Sequence, residues 1–252
     1  MTITSPHNDR LKEIRKLARR RERALTGRFV AEGEDLLAAA DAAGWPALER
    51  YCAAGSGLGG RDWVEVEPEL LARASQLGSG TRALGVYAQR WAEAPTGPLC
   101  VALHGIADPG NVGTILRSAL AFGANSVALG PDCADPYGSK AVRASMGALF
   151  AVPLARYERV AQLPGMTVAL DAHAQEPIAE LAAAGGPAAG GALTLLVGAE
   201  RAGLPDDVLA ACDRVMRIPI HSESLNAAMA ATVALYEVAR GAAPTETRMP
   251  PA

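Results

Sequence analysis

The chain is poor in cysteine, and none of what it has is paired. Cys52, Cys100, Cys133 and Cys212 are widely scattered among 252 residues, with no C-x-x-C and no histidine at ligand spacing. That excludes a disulfide scaffold and a zinc site, and predicts small buried thiols in a reducing compartment. No apolar run approaches membrane-spanning length, and no apolar h-region follows the basic residues that begin at Arg10. Neither a membrane partner nor a secretory signal is therefore expected, and the cytoplasm is the default location. A G-x-G-x-x-G dinucleotide fingerprint and any internal repeat are also missing. Net charge is −3, so the total charge gives no reason to expect nucleic acid.

What is present favours a large, well-packed protein. Half the residues are apolar and a fifth are charged, enough for a substantial core in two ordinary domains or one large α/β domain. Charge is unevenly distributed. From Arg10 to Arg28 there are nine Lys or Arg and only two acids, Glu13 and Glu22. The spacing predicts one helix over 8–25 with Leu11, Ile14, Leu17 and Leu25 on its apolar side. A one-signed cluster in an acidic protein attracts a phosphate backbone without reading sequence, although such runs are commonly only a solvated face.

A strand over 28–33, a helix over 34–43 ended by Gly44, strands over 48–53, 63–66 and 84–89, and a short helix over 68–74 complete a small α/β domain at 1–91. Residues 92–98, with two prolines and a glycine, read as a linker. From Leu99 the pattern turns to repeated β-α, ending in a helix that Ser224 would cap, with Leu225, Ala228, Met229, Leu235 and Tyr236 on its apolar face. A single helix is expected over 139–149. The alternation implies a parallel sheet over 99–241, covered on both faces, with ligands beyond the carboxyl ends of its strands. The piece from Ala182 to Gly191 reads as a surface loop and 242–252 as a flexible tail.

Three strand-to-loop segments carry unusual polar residues. In the first, from His104 to Arg117, Gly110 and Gly113 permit close backbone approach, Asn111 sits near a helix start and Arg117 lies among apolar neighbours. In the second, Glu200 follows a buried strand between Gly198 and Gly203. A carboxylate there is costly unless it accepts hydrogen bonds or meets an arginine, and Arg117 is one candidate partner. The third, His221-Ser222-Glu223, joins the strand end around Ile218 to the last helix. A strand end, a polar loop and a helix start together can hold an anion or a polar ligand.

The ordered set N-V-G-T-I-L-R (111–117), K-A-V-R-A-S-M-G-A (140–148), G-A-E-R-A-G-L (198–204) and I-P-I…E-S-L-N-A-A-M-A (218–230) resembles the motifs of the SpoU (TrmH-type) RNA 2′-O-methyltransferases of the SPOUT superfamily. R-F-V-A-E-G at 28–33 is similar to the substrate-binding domain of many ribosomal-RNA members, itself like a family of RNA-binding ribosomal proteins. The resemblance implies a C-terminal parallel-sheet domain with a deep trefoil knot, behind a small α/β RNA-binding domain, working as a homodimer. It implies S-adenosylmethionine held through Gly198, Ile218 and Leu225, with Leu196 and Ile220 as pocket walls. It implies methyl transfer to a ribose 2′-hydroxyl of RNA, ribosomal rather than transfer RNA, without a metal. The alternatives are a transfer-RNA ribose 2′-O-methyltransferase and a scaffold that binds RNA without catalysis; a small-molecule α/β enzyme would leave the basic stretch from Arg10 to Arg28 unexplained. Arg117 would clamp the phosphate beside the target ribose and stabilise the developing alkoxide, because a guanidinium is not normally deprotonated. Asn111, Glu200, Ser224 and Asn226 would position these groups. RNA contacts are expected from Arg10, Arg15, Arg19, Arg20, Arg28, Lys140 and Arg143. The chain departs from the family in its short third-motif loop, which lacks a glycine, and in Ala199, where Asn is common.

Overall fold

The computed structural model describes residues 2–76, 80–183, 191–222 and 224–241. They fold into two compact units. The first takes in Met1–Arg90, Pro109–Arg117 and Ala134–Ala151, the second Trp91–Asp108, Ser118–Cys133 and Val152–Ala252. Two pieces of the expected organisation, the loop around 182–191 and the tail 242–252, fall largely or wholly outside the described residues.

The first unit begins with α1 (Asp9–Lys16) and α2 (Arg20–Thr26), where the periodicity predicts one helix. Asn8 caps α1 by accepting from the Arg10 N–H at 3.0 Å. The break has a physical cause in Arg23. Its guanidinium turns inward, 5% exposed, and donates at 2.8 Å to the carbonyls of Leu17 and Ala18, taking up acceptors at the end of α1. It also pairs with Asp135 at 2.8 Å. Arg19 is extended there, and Gly27 closes α2 in the left-handed region at φ 64°. Leu11, Ile14 and Leu17 are buried, but Leu25, placed on the same apolar side by its spacing, is 78% exposed because the second helix starts a new phase.

Next come β1 (Arg28–Glu32), α3 (Glu34–Ala42), β2 (Glu49–Ala53), β3 (Trp63–Val66), α4 (Pro68–Ala74) and β4 (Ala83–Ala88). The sheet order is β1-β4-β2-β3, with β1 and β2 antiparallel to β4 and β2 parallel to β3. The two faces bury different chemistry. Val30 pairs with Val86 and joins Leu11, Ile14, Leu71 and Leu84 in a core that is aliphatic but for Tyr51. Phe29 pairs with Tyr87, one residue out of phase, and belongs to an aromatic cluster with Trp45, Tyr137 and Phe150. Burial pushes the Tyr87 phenol up to about 12. The one helix expected over 139–149 is two, α6 (Ser139–Ala144) and α7 (Ala148–Ala151) in chain order. Met146 and Gly147 separate them with φ of 49° and 90°, incompatible with a continuous helix.

The second unit is a seven-stranded, wholly parallel sheet. Its strands are β5 (Leu99–Leu103), β6 (Ser126–Leu129), β7 (Leu154–Arg156), β8 (Met166–Leu170), β9 (Glu176–Pro177), β10 (Leu193–Val197) and β11 (Arg214–Arg217), in the order β7-β6-β5-β10-β8-β11-β9. Every residue of β5 and β10 is buried, as befits the middle of a covered parallel sheet. The short β7 and β9 were not expected, since two or three residues carry no period. The helices are α5 (Pro109–Ala121), which contributes its last turn here, α8 (Ala179–Ala183), α9 (Asp206–Ala210) and α10 (Ala227–Gly241). α10 buries Ala227, Ala228, Ala231, Ala234, Leu235 and Val238. Met229 and Tyr236, expected on that face, are instead 60% and 52% exposed. Burial raises all four thiols, Cys52, Cys100, Cys133 and Cys212. Each is free.

Candidate cofactor cleft and RNA-facing residues

Three adjacent strands of the second unit, β10, β8 and β11, run in the same direction and end together. Residues just beyond their carboxyl ends line a cleft of about 230 Å³, close to the lower end of the roughly 300–1,000 Å³ typical of small-molecule sites. The last residue of β10 and the one after it supply Val197 and Gly198, the same two positions at β8 supply Leu170 and Asp171, and the segment after β11 supplies Ile218, Ile220, Ser224 and Leu225.

The loop after β10 is built by backbone. Ala199 N–H donates to the Gly203 carbonyl at 3.1 Å and Gly203 N–H returns to Ala199 at 2.9 Å, so Glu200, Arg201 and Ala202 form a tight tip on the cleft. A Cβ on Gly198 would lie 2.4 Å from the Gly203 carbonyl carbon, and Gly203 itself has φ 65°. Gly198 is therefore required by its own loop, whatever else it touches.

The segment after β11 differs from the expected cap. Ser224 does not start the last helix, which begins at Ala227. Asn226 caps it, its Oδ1 accepting from the N–H groups of Ala228 at 2.9 Å and Met229 at 3.3 Å. The shift of two residues frees Ser224 and Leu225 to line the cleft, while Asn226 is not among the lining residues. Ser224 accepts at its carbonyl from the Ser222 hydroxyl at 3.1 Å. Leu196 is fully buried in the core beside Cys100, Tyr157 and Leu204, and is not a lining residue. A strand's side chains alternate in direction, so Leu196 and Val197 cannot both face the cleft.

Reasoning from sequence missed Asp171, His173 and Arg201, all of which line the cleft. Asp171 follows a buried strand just as Glu200 does, and the same cost of desolvating a carboxylate could have singled it out. Its N–H donates to the Met216 carbonyl at 3.0 Å, and its Oδ1 accepts from the His173 N–H at 2.7 Å. The cleft is thus lined by two carboxylates, Asp171 and Glu200, one guanidinium, Arg201, and the apolar side chains of Ile218, Ile220 and Leu225. That donor set fits a cationic, partly aromatic ligand such as a sulfonium nucleoside better than it fits an anion.

The remaining candidate residues belong to the first unit. Arg117 is exposed and Asn111 half-buried, on the part of α5 assigned there. Gly113 is fixed by packing: an added Cβ would lie 2.3 Å from the Ala141 carbonyl and 2.7 Å from Ala144 Cβ, so α5 and α6 meet where neither has a side chain to spare. Lys140 and Arg143 are exposed on α6. Arg10, Arg15, Arg19, Arg20 and Arg28 are exposed as well, Arg15 donating to the Pro6 carbonyl at 3.1 Å.

Residues 98–236 match the SpoU rRNA Methylase family, and residues 8–81 match the MRM3-like substrate binding domain. A 23S rRNA (uridine(2479)-2′-O)-methyltransferase of Streptomyces viridochromogenes is 36% identical over 52% of this chain. A 23S rRNA (guanosine(2553)-2′-O)-methyltransferase of Bacillus subtilis is 26% identical over 94% of it. The chain spans about half the length of two of the curated relatives it matches, 51% and 49%, and 98% of the Bacillus one. The crystal structure of an AdoMet-bound rRNA methyltransferase from Sinorhizobium meliloti superposes with a TM-score of 0.82 at 29% identity, over 95% of this chain and 97% of that one.

Proposed function

Because the chain belongs to the SpoU rRNA Methylase family, we propose that it is an S-adenosylmethionine-dependent RNA ribose 2′-O-methyltransferase acting on ribosomal RNA. The observation that carries the reading is the shared cleft at the ends of β10, β8 and β11, where Gly198, Ile218 and Leu225 meet two carboxylates. When bound, the cofactor supplies an electrophilic methyl on a sulfonium. The protein's task is then to align the 2′-hydroxyl in line with that methyl and to ease loss of its proton.

Arg117 is the group assigned to the RNA. As an exposed guanidinium it binds the phosphate next to the target ribose bidentately, and lends positive charge to the oxygen as its proton leaves. Asn111 holds the start of α5, Glu200 and Ser224 hold the substrate side of the cleft, and Asn226 fixes the helix behind them. Leu196 supports the cleft from the core rather than as a wall. Arg10, Arg15, Arg19, Arg20, Arg28, Lys140 and Arg143 track the phosphate backbone. A target in a single-stranded loop suits this arrangement, because a ribose must leave its helix to reach the methyl.

The proposal extends to organisation. Residues 1–91 form the RNA-binding domain, related to a ribosomal-protein fold, 92–98 the linker, 99–241 the methyltransferase domain and 242–252 a tail; the two matched ranges support this division. The C-terminal segment threads a trefoil knot. β11 lies outside β8, yet α10 returns to pack on β10 and α8, the path such threading needs. The enzyme is a homodimer in the cytoplasm. Leu120, Met229 and Tyr236 are exposed on helices joined by the Ser118–Thr232 hydroxyl contact at 2.6 Å, and Tyr236 meets Phe122 edge-on, an apolar patch that a second copy covers.

The test is transfer of labelled methyl from S-adenosylmethionine to ribosomal RNA, followed by mapping of 2′-O-methyl marks. Arg117→Ala should cut turnover about 100- to 1,000-fold while cofactor affinity stays unchanged. Methylation of transfer RNA alone would redirect the substrate assignment. RNA binding without any S-adenosylmethionine binding would favour a non-catalytic scaffold.

A further inference from the structure

The cleft contains an acid with no role in the chemistry so far assigned. Asp171 follows β8, the middle strand of the three whose ends form the site. Its backbone is fixed by the bond to Met216 and its Oδ1 by the His173 N–H, and no described residue forms an ion pair with the carboxylate. A carboxylate offers about four lone-pair positions, and the His173 bond occupies one of them. On one flank, the segment after β11 lays down Ile218, Ile220 and Leu225, a surface that suits the flat face of a purine. On the other flank, the loop after β10 presents Glu200 and Arg201.

In doubly wound sheets that bind dinucleotides, ligands sit beyond the carboxyl ends of the strands and an acidic side chain there accepts from the ribose 2′-hydroxyl; a carboxylate has enough lone pairs to accept from the neighbouring hydroxyl as well. We propose that Asp171 is the acceptor for the ribose diol of the adenosyl cofactor, and hence the residue that makes the cleft select a ribonucleoside. This rests on the cofactor reading of the cleft. Glu200, on the neighbouring loop, is then left to the charged end of the cofactor or to the RNA. His173 acts through its backbone as a positioning residue.

The test is a binding cycle with two ligands, S-adenosylhomocysteine and its 2′,3′-dideoxy counterpart, on the wild-type chain and on Asp171→Asn. The asparagine keeps the oxygen that accepts from His173, so the turn survives. Removing the hydroxyls should weaken wild-type binding about tenfold to a hundredfold, the usual effect of losing hydrogen bonds to a charged group. Asp171→Asn should weaken the hydroxylated ligand by a similar factor and leave the dideoxy ligand unchanged. Equal losses for both ligands would overturn the assignment while leaving the cofactor site in place. If circular dichroism shows the variant unfolded, the wild-type arm decides: a dideoxy ligand bound within twofold of the parent sinks the proposal. Wild-type protein that binds neither S-adenosylmethionine nor S-adenosylhomocysteine overturns the cofactor reading itself.

Discussion

The two units solve their packing in opposite ways. The first relies on particular large side chains: Phe29, Trp45, Tyr87, Tyr137 and Phe150 interlock on one face of its sheet, and Arg23 with Asp135 forms a buried ion pair. The second relies on backbone. Its cleft is shaped by the Ala199–Gly203 turn, by three parallel strand ends and by a helix that buries mainly alanine. A structure held by side chains should be sensitive to truncation, and one held by close backbone approach should be sensitive to added atoms.

The largest expected effect tests the first half of that contrast. Arg23→Met should cost about 3–5 kcal/mol, because it strands the Asp135 carboxylate and uncovers the carbonyls of Leu17 and Ala18. Urea denaturation measures it, and a loss below about 1 kcal/mol would show that water replaces the guanidinium. The second half is tested by adding one methyl. Gly198→Ala should destabilise by about 1–3 kcal/mol and weaken S-adenosylmethionine binding at least tenfold in calorimetry, because its Cβ would meet the Gly203 carbonyl. Leu225→Ala, a truncation at the same cleft, should cost less in stability than Gly198→Ala; the reverse order would erase the contrast.

Smaller still is the cap of α10. Asn226→Ala should cost about 0.5–2 kcal/mol, whereas Ser224→Ala should leave stability within about 0.5 kcal/mol. A melting curve for each separates cap from cleft residue. The smallest effect is in acid. The Thr167 N–H and hydroxyl hold the Asp213 carboxyl below its ordinary value, linking β8 to the start of β11. A depressed carboxyl stabilises the fold fully above its unfolded pKa, about 4, and that contribution fades as pH falls through the folded value. Asp213→Asn should therefore be less stable than wild type at pH 7 and converge with it near pH 2.

Much of this architecture was legible in the residues. The strands β1, β3, β5, β6, β8 and β10 and the helix α4 fall within a residue of where alternation, apolar runs and turn residues put them. The misplacements have two origins: a long-range contact that overrode a local period, and a choice between local signals of similar strength. Arg23 broke the first helix because Asp135, 112 positions away, was there to receive it. Asn226 displaced Ser224 as the cap, and both are good caps by type. Met229 and Tyr236 continued an apolar stripe that the fold turned outward. Asp171 went unnoticed although the rule that picked out Glu200 applied to it equally. The knot proposed for the C-terminal segment lies beyond any periodicity, since it depends on the order in which loops are crossed.

The inward turn of Arg23 also bears on how the protein responds to salt. Nine cations lie between Arg10 and Arg28. One of them is enclosed and already neutralised, leaving 9 − 1 = 8 that could displace condensed ions from a nucleic-acid strand. At about 0.7 ion released per contact on a single strand, this stretch can steepen the dependence of log affinity on log salt by no more than about 5.6, against about 6.3 were all nine available. A titration in potassium chloride reads that ceiling directly, so the folded arrangement of one arginine sets a limit that a count of basic letters would overstate.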